Sequence, residues 1–292
     1  MSVHKVVIPV AGWGTRFLPA TKVQPKEMLP LVNKPLIQHA VEEAVASGIN
    51  QVIMVTAVGK EIIKEHFRRS LTLERYLSKK GKEDLLEEVR RVASLANVSY
   101  VYQKQQLGLG HAVSITQEMV GDEPFAVILP DDIMDCDVPA LKQMLDIHNR
   151  YGGSIIGVER VKKEDVSKYG IIRAEKLQKR LYKVQDLVEK PSMDKAPSDL
   201  GVIGRYIITP QIFRILKDTQ EGAIGEIQLT DGLKNLLSEQ TIYACEFEGI
   251  RYDTGTPLGM LKASVALGLR NPEFGDDLKE YLRQIISKQF SV

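Results

Sequence analysis

The sequence predicts an α/β fold in which a mixed sheet lies between two layers of helices. Short runs of consecutive apolar, β-branched residues recur through the first half of the chain, as in strands buried on both faces. Between them stand segments whose apolar residues recur at helical spacing. After residue 160 the strand-like runs become shorter and more polar. Strand, helix and strand in alternation argue for parallel βαβ units, and the later elements for a mixed remainder of the same sheet. One domain over residues 1–292 is expected, with a first half of about 1–150 and a second of about 151–292.

Lys5–Val10 (KVVIPV) is the first expected strand, and it runs into Ala11-Gly12-Trp13-Gly14-Thr15-Arg16. Leu36–Ser47 sets Leu36, Ile37, Ala40, Val41, Ala44 and Val45 on one helical face, and Gly48 follows as its C-cap. Gln51–Thr56 (QVIMVT) is the second strand. The charged stretch Lys60–Asn97 carries Leu85, Leu86, Val89, Val92, Ala93 and Ala96 at helical spacing, which predicts an amphipathic helix pair at the sheet edge. A strand over Val98–Gln103, a helix over Gly110–Val120 and a strand over Phe125–Leu129 follow, the last ending at Pro130-Asp131-Asp132. A helix over Pro139–Arg150 and a strand over Ser154–Glu159 complete this half. Beyond it, strands are expected at Ile171–Ala174, Lys183–Val188 and Gly201–Thr209, and helices at Pro210–Lys217, Glu226–Ser238, Pro257–Leu267 and Asp276–Ser287.

Composition excludes several function classes. Lysine plus arginine number 39 against 38 aspartate plus glutamate, a formal charge of +1. That balance gives no bulk attraction to nucleic acid or a membrane surface, so any anion site must be built locally. No apolar run approaches the length of a membrane span, and with the first strand starting at Lys5 no secretory leader is expected. The two cysteines, Cys136 and Cys245, lie far apart; a reduced, cytoplasmic setting is the expectation. His4, His39, His66, His111 and His148 show no zinc-binding spacing.

A glycine turn after a first strand lets backbone N–H groups approach phosphate oxygens. Here it is not a dinucleotide fingerprint, because Phe17 stands where the third glycine belongs, and no GxxxxGK[ST] occurs. What remains is a proline-punctuated loop in which Arg16, Lys22 and Lys26 crowd together, with Pro19, Pro25 and Pro30 opposing a regular helix. Such a concentration of cations suits a triphosphate; a βα turn followed by a solvated basic loop is the plain alternative. Asp131 and Asp132 follow a buried strand, at the edge where α/β sheets bind ligands, and a carboxylate pair there suits Mg²⁺. Turn formation is the plain alternative for that pair.

AGWGTRFLPATK followed by PKEMLP resembles the signature of the bacterial UTP–glucose-1-phosphate uridylyltransferases, a branch of the sugar-1-phosphate nucleotidylyltransferases. QKQQLGLGHAV, LPDDI, KYGII, VEKP, GRY, GEIQLTD and RYDTG recur in family order, so the resemblance covers nearly the whole chain. The sequence departs from the family at Trp13, where leucine or phenylalanine is usual, and at Val10, where alanine is common.

The resemblance implies a Rossmann-like three-layer αβα sandwich of nucleotidyltransferase type, with a nucleotide half followed by a sugar-phosphate half. It implies transfer of a uridylyl group from UTP to glucose 1-phosphate, with Mg²⁺ as cofactor and a homodimer or homotetramer as the assembly. A thymidylyltransferase and a non-catalytic sugar-nucleotide-binding regulator are the alternatives. It places Gln103 on uracil, assisted by backbone at Ala11 and Gly108, and puts Gly12, Gly14 and Thr15 in the nucleotide loop. Arg16 is assigned to the leaving pyrophosphate, Lys26 to the α-phosphate and Lys190 to the incoming phosphate. Asp131 and Asp253 are implied as the metal ligands, with Asp132 capping or orienting. Gly170, Glu189 and Gly204, with Tyr169, are implied at the sugar, and Glu226 and Asp231 either support that region or line it. His111 is read as structural or supporting rather than catalytic.

Overall fold

Side chains alternate along the central strands between two separate cores, and this sets the layering. In the computed structural model, which describes residues 2–219 and 225–289, nine of the described strands form one sheet. They are β1 (Lys5–Pro9), β2 (Gln51–Thr56), β3 (Asn97–Tyr102), β4 (Phe125–Ile128), β5 (Ser154–Arg160), β6 (Gly170–Gln178), β7 (Leu181–Glu189), β8 (Leu200–Ile208) and β9 (Ile242–Glu246). Their spatial order is β3-β2-β1-β4-β8-β5-β9-β7-β6. β1 pairs in parallel with β2 and β4, and β2 with β3. β8 enters antiparallel between β4 and β5, while β9 runs parallel to β5 and β7 antiparallel to both β9 and β6. The sheet is therefore mixed, as the sequence predicts.

Val6, Ile8, Val52, Met54, Ala126 and Ile128 pack against the helices Leu36–Ala46 and Ala140–Tyr151. Val7, Ile53, Val55, Phe125 and Val127 face the other way, toward Gly108–Ser114, Ile212–Asp218 and Leu229–Leu236. There the rings of Phe125 and Phe213 stack at 5.1 Å. Each such side chain contributes roughly 1.5–3 kcal/mol by its burial, which is why these strands are apolar at every position rather than at every second one. Gly48 ends the Leu36–Ala46 helix at φ +90°, and its N–H donates to the Val45 carbonyl, the left-handed cap its sequence position predicts.

Several expectations need correction. Lys60–Asn97 holds three helices rather than two: Glu61–His66, Leu71–Lys79 and Glu83–Ala93. Gly110–Val120 is split into Gly108–Ser114 and Gln117–Val120, where the Thr116 hydroxyl donates to the Val113 carbonyl and competes with helix continuation. The later strands are not short: β6, β7 and β8 have 9 residues each. Polar residues interrupt β6 and β7 because one part of this hairpin meets solvent. The helix expected from Glu226 starts only at Leu229. Strand β9 and an antiparallel ribbon of Asp132–Asp135 with Ile250–Asp253 were not expected from sequence.

The charged helices carry an ionic clamp. Glu74 accepts from Arg69 at 3.0 and 2.6 Å and from Arg90 at 3.0 Å. These guanidinium bonds hold its carboxyl at about 2. Because the folded value lies below the ordinary one, the stabilisation is complete above the ordinary pKa of 4.5 and is lost as pH falls from there toward 2. Glu74→Gln is expected to flatten the acid side of a stability–pH curve in that window; an unchanged curve removes the clamp. No helix among the described residues is long and apolar enough to cross a membrane.

Candidate active site

The glycine loop leaves the C-terminal end of β1 and folds as three 3₁₀ turns, Thr15–Phe17, Ala20–Lys22 and Lys26–Met28, in keeping with its prolines. Gly14 sits at φ +65°, and a Cβ there would lie 3.0 Å from Lys26 Cβ. Only glycine takes that backbone easily, so this turn is what brings the start of the loop against Lys26. The Thr21 hydroxyl donates to the Gly14 carbonyl at 2.8 Å and fixes the turn. Val10 is fully buried and Trp13 is 75% exposed, so both departures from the family pattern are accommodated, one in the core and one in solvent.

A cavity of about 330 Å³ opens behind this loop, and Ala11, Gly12, Lys26, Gln103, Gly108 and Asp131 all line it. Residues picked from three separate stretches of sequence thus face one space. A larger cavity, about 830 Å³ among Gln117, His148, Thr209 and Arg214, lies at the end where the parallel strands begin and contains none of them. Lys22 is exposed and lines neither.

Gln106, Glu27 and Glu226 also line the cavity behind the glycine loop and were not assigned to it from sequence. Gln106 Nε2 donates to the Ala11 carbonyl at 2.7 Å, joining the two glycine loops. Glu27 accepts from Lys60 at 2.9 Å, and Lys60 also donates to the Val10 carbonyl. Burial raises the pKa of Glu27 and lowers that of Lys60. The Gly225–Gln228 segment lies against the Leu107–Gly110 loop: Gly110 N–H donates to Ile227 O, and Ile227 N–H to Leu107 O, both at 2.8 Å. A Cβ at Gly110 would come within 2.7 Å of the Ile227 carbonyl oxygen. That close approach explains the glycine and also why the segment is extended rather than helical.

Asp131 and Asp253, far apart in sequence, are brought together by the unexpected ribbon, which pairs Asp253 with Asp132. Thr254 tightens the junction: its N–H and its hydroxyl both donate to the Asp131 carbonyl, at 2.8 and 2.7 Å. Lys26 Nζ donates to Asp131 Oδ2 at 2.5 Å. Burial opposes the charge on both partners, but their mutual attraction outweighs it, so the pKa of Lys26 is raised and that of Asp131 lowered. Arg16 Nη1 reaches the Gly255 carbonyl at 3.4 Å.

Asp131 Oδ2 and Asp253 Oδ1 each lie 3.0 Å from the point a Cβ on Gly255 would occupy. Glycine therefore leaves a small space faced by two carboxylate oxygens. Such a pair fits Mg²⁺, which takes oxygen ligands and keeps several waters. Among the described residues no group of three or more His, Cys, Asp or Glu side chains is gathered for a metal. A two-carboxylate site completed by water and substrate oxygens is the form these residues allow.

Asp132 does different work. It accepts from Arg251 at 2.6 Å and from the Gly204 N–H at 2.9 Å, so it orients the turn that carries Asp131. Gly204 is packed tightly from within the protein. Its N–H is bound to Asp132, its carbonyl accepts from Leu129 N–H at 2.8 Å, and a Cβ there would stand 2.6 Å from both Asp132 and Leu129. It is a buried position whose N–H and carbonyl are both engaged inside the protein.

On the other side, Gly170 pairs with Glu189 across β6 and β7. A Cβ at Gly170 would lie 3.2 Å from Glu189 Oε2 and from Thr230 Oγ1, so the missing side chain leaves room beside both. Lys190 follows at φ +42°, with its N–H on the Tyr169 carbonyl at 3.0 Å and Nζ 3.3 Å from Glu189. A lysine held in the left-handed region is strained, and the strain places an exposed ammonium beside a carboxylate. Burial, then the charge of Glu189, raises the pKa of Asp231. Arg251 links the two sides, reaching Asp132, Glu159 at 3.0 Å and the Tyr169 hydroxyl at 3.3 Å.

Residues 5–268 match the family model described as nucleotidyl transferase. The chain is 51% identical to the UTP–glucose-1-phosphate uridylyltransferase YngB of Bacillus subtilis, over 98% of this chain and 97% of that one. It superimposes on a UDP-glucose pyrophosphorylase complexed with UDP-glucose at a TM-score of 0.85 and 45% identity, over 92% of this chain and 100% of the other. Against the UTP-bound enzyme of Acinetobacter baumannii the TM-score is 0.90 and the identity 39%, over 96% and 98% of the two chains. With a phosphate-type glycine loop, a carboxylate pair and a second polar subsite arranged on this sheet, the chain belongs to the nucleotidyl transferase family.

Proposed function

We propose that the protein transfers a uridylyl group from UTP to glucose 1-phosphate, giving UDP-glucose and pyrophosphate. The observation that carries this reading is the meeting of Lys26, Asp131, Asp253 and Arg16 around Gly255, beside a cavity lined by Gln103. Relatives named for this activity, and structures with UDP-glucose or UTP bound, support it. Mg²⁺, a cytoplasmic setting and a homodimer or homotetramer belong to the same reading.

The sugar phosphate is already an anion at neutral pH, its second pKa being about 6. It therefore needs no strong general base, and the obstacle is the approach of two polyanions. A phosphate oxygen attacks the α-phosphorus in line, the new P–O bond forms, and the bond to pyrophosphate breaks on the opposite side. Lys190 holds the incoming phosphate, Lys26 meets the α-phosphate, and Arg16 meets the leaving pyrophosphate. Glu189 takes sugar hydroxyls in the space left by Gly170. Held by Asp131 and Asp253, Mg²⁺ would offset phosphate charge. Gln103 reads the base.

Pyrophosphate release from glucose 1-phosphate with UTP, dTTP, ATP, CTP or GTP tests the reading. Preference for UTP is expected; preference for dTTP indicates a thymidylyltransferase, and no turnover with any of them a binding protein. Lys26→Ala is expected to lower kcat by about a hundredfold or more, and to raise KM for glucose 1-phosphate much less. Wild-type turnover in that variant would end the assignment of Lys26.

A further inference from the structure

The carboxamide of Gln103 is held in one orientation by a residue that none of the roles above uses. Gln103 is buried at the end of β3, with its own N–H on the Thr56 carbonyl at 2.8 Å. Its Nε2 lies 2.8 Å from His111 Nδ1 and 3.4 Å from the Gly108 carbonyl oxygen. A carbonyl oxygen only accepts, so the amide nitrogen must face it. Turning the amide over would set its oxygen against the Gly108 oxygen. This polar neighbourhood, rather than the shape of the side chain, decides which end is which. His111 Nδ1 then takes an amide proton, which requires a neutral imidazole protonated on Nε2. Burial lowers the pKa of His111 below its ordinary 6.5, favouring that state at neutral pH.

The seat of His111 is rigid. It follows Gly110, whose N–H is fixed on the Ile227 carbonyl at 2.8 Å, and its own carbonyl accepts from the Ser114 hydroxyl at 2.9 Å. With Nε2 engaged, Oε1 is the free end of the Gln103 amide among the described residues, on a side chain that lines the cavity. A fixed acceptor selects a base with a ring N–H. Uracil presents N3–H at that edge, whereas cytosine presents a lone pair at N3.

We propose that His111 is a positioning residue that locks the Gln103 carboxamide with its oxygen toward the base, and thereby sets the preference for an imide base over cytosine. The proposal rests on the assignment of Gln103 to the base, and its test separates the two. Kinetics with UTP and with CTP are compared for wild type, His111→Leu, His111→Asn, Gln103→Leu and the double variant His111→Leu/Gln103→Leu.

His111→Leu is expected to raise KM for UTP and to lower the UTP-over-CTP preference, each by about tenfold, the effect of losing one hydrogen bond, with kcat nearly unchanged. His111→Asn, whose Oδ1 stands where Nδ1 was, restores the preference to within about threefold. Gln103→Leu loses the preference, and adding His111→Leu to it changes nothing further. Where the leucine variant melts early, His111→Ala takes its place in the comparison. Wild-type preference in the leucine or alanine variant, together with loss in Gln103→Leu, overturns the role of His111 and leaves that of Gln103 standing. Failure of His111→Asn to restore the preference overturns it too. Wild-type preference in Gln103→Leu removes the base assignment itself.

Discussion

Asp131→Asn is expected to lower kcat by about a thousandfold while the protein remains folded. The substitution keeps the shape of the side chain and removes its charge. The contacts that bind this turn to the Asp253 segment go to the main-chain carbonyl of Asp131, from Thr254 N–H at 2.8 Å and the Thr254 hydroxyl at 2.7 Å. Those survive. What is lost is the negative charge that faces Lys26 at 2.5 Å and one of the two carboxylates at the space beside Gly255. An amide oxygen binds a hard divalent cation less strongly than a carboxylate does, so the Mg²⁺ concentration for half-maximal rate should also rise. Steady-state rates across a Mg²⁺ titration, with a melting curve as control, measure both effects. Activity within tenfold of wild type at an unchanged Mg²⁺ requirement would remove Asp131 from the metal role.

The parts of this site that were legible in sequence are those with a local signal. A buried apolar run followed by Gly12 and Gly14 marks a strand and a tight turn, because left-handed backbone and close approach favour glycine wherever they occur. Asp131 could be picked because it stands just past the apolar run Phe125–Leu129, whereas Gln103 and Gly108 were placed by the family resemblance; all three line one cavity. The meeting of Asp131 with Asp253 had no local signal. It depends on a ribbon with strands of 4 residues each, too short to show a period. Gly204 was placed at the sugar by the family resemblance and has no local signal of its own; the pressure for glycine there comes from Asp132 and Leu129. Glu226 was placed in a helix because Glu226–Ser238 has helical spacing, yet Ile227 gives its backbone to the Leu107–Gly110 loop instead. Tertiary hydrogen bonds there override local preference.

Arg205→Met is expected to lower stability to unfolding by about 3–5 kcal/mol, the cost of leaving one member of a buried ion pair without its partner. Arg205 is 1% exposed. Its guanidinium grips Glu43 with Nε at 3.0 Å and Nη2 at 2.7 Å, and donates to the carbonyls of Leu129 at 3.0 Å, Gly204 at 3.1 Å and Asp132 at 2.7 Å. Burial works against its charge, but Glu43 outweighs it and the pKa is raised. Were the ion pair the whole of its contribution, Glu43→Leu/Arg205→Met would recover most of the loss, since apolar replacement of a buried pair is often neutral. The Leu129 and Asp132 carbonyls flank the Asp131 turn, however, and both lose a donor in the double variant. Its recovery should therefore fall short of half, and at a temperature where it is folded its kcat should still lie about tenfold or more below wild type. Urea unfolding curves and turnover measured on the same preparations give the two numbers. Full recovery of both would reduce Arg205 to a partner for Glu43, and the placement of Asp131 would then rest on Thr254 and Lys26 and, through Asp132, on Arg251 and the Gly204 N–H.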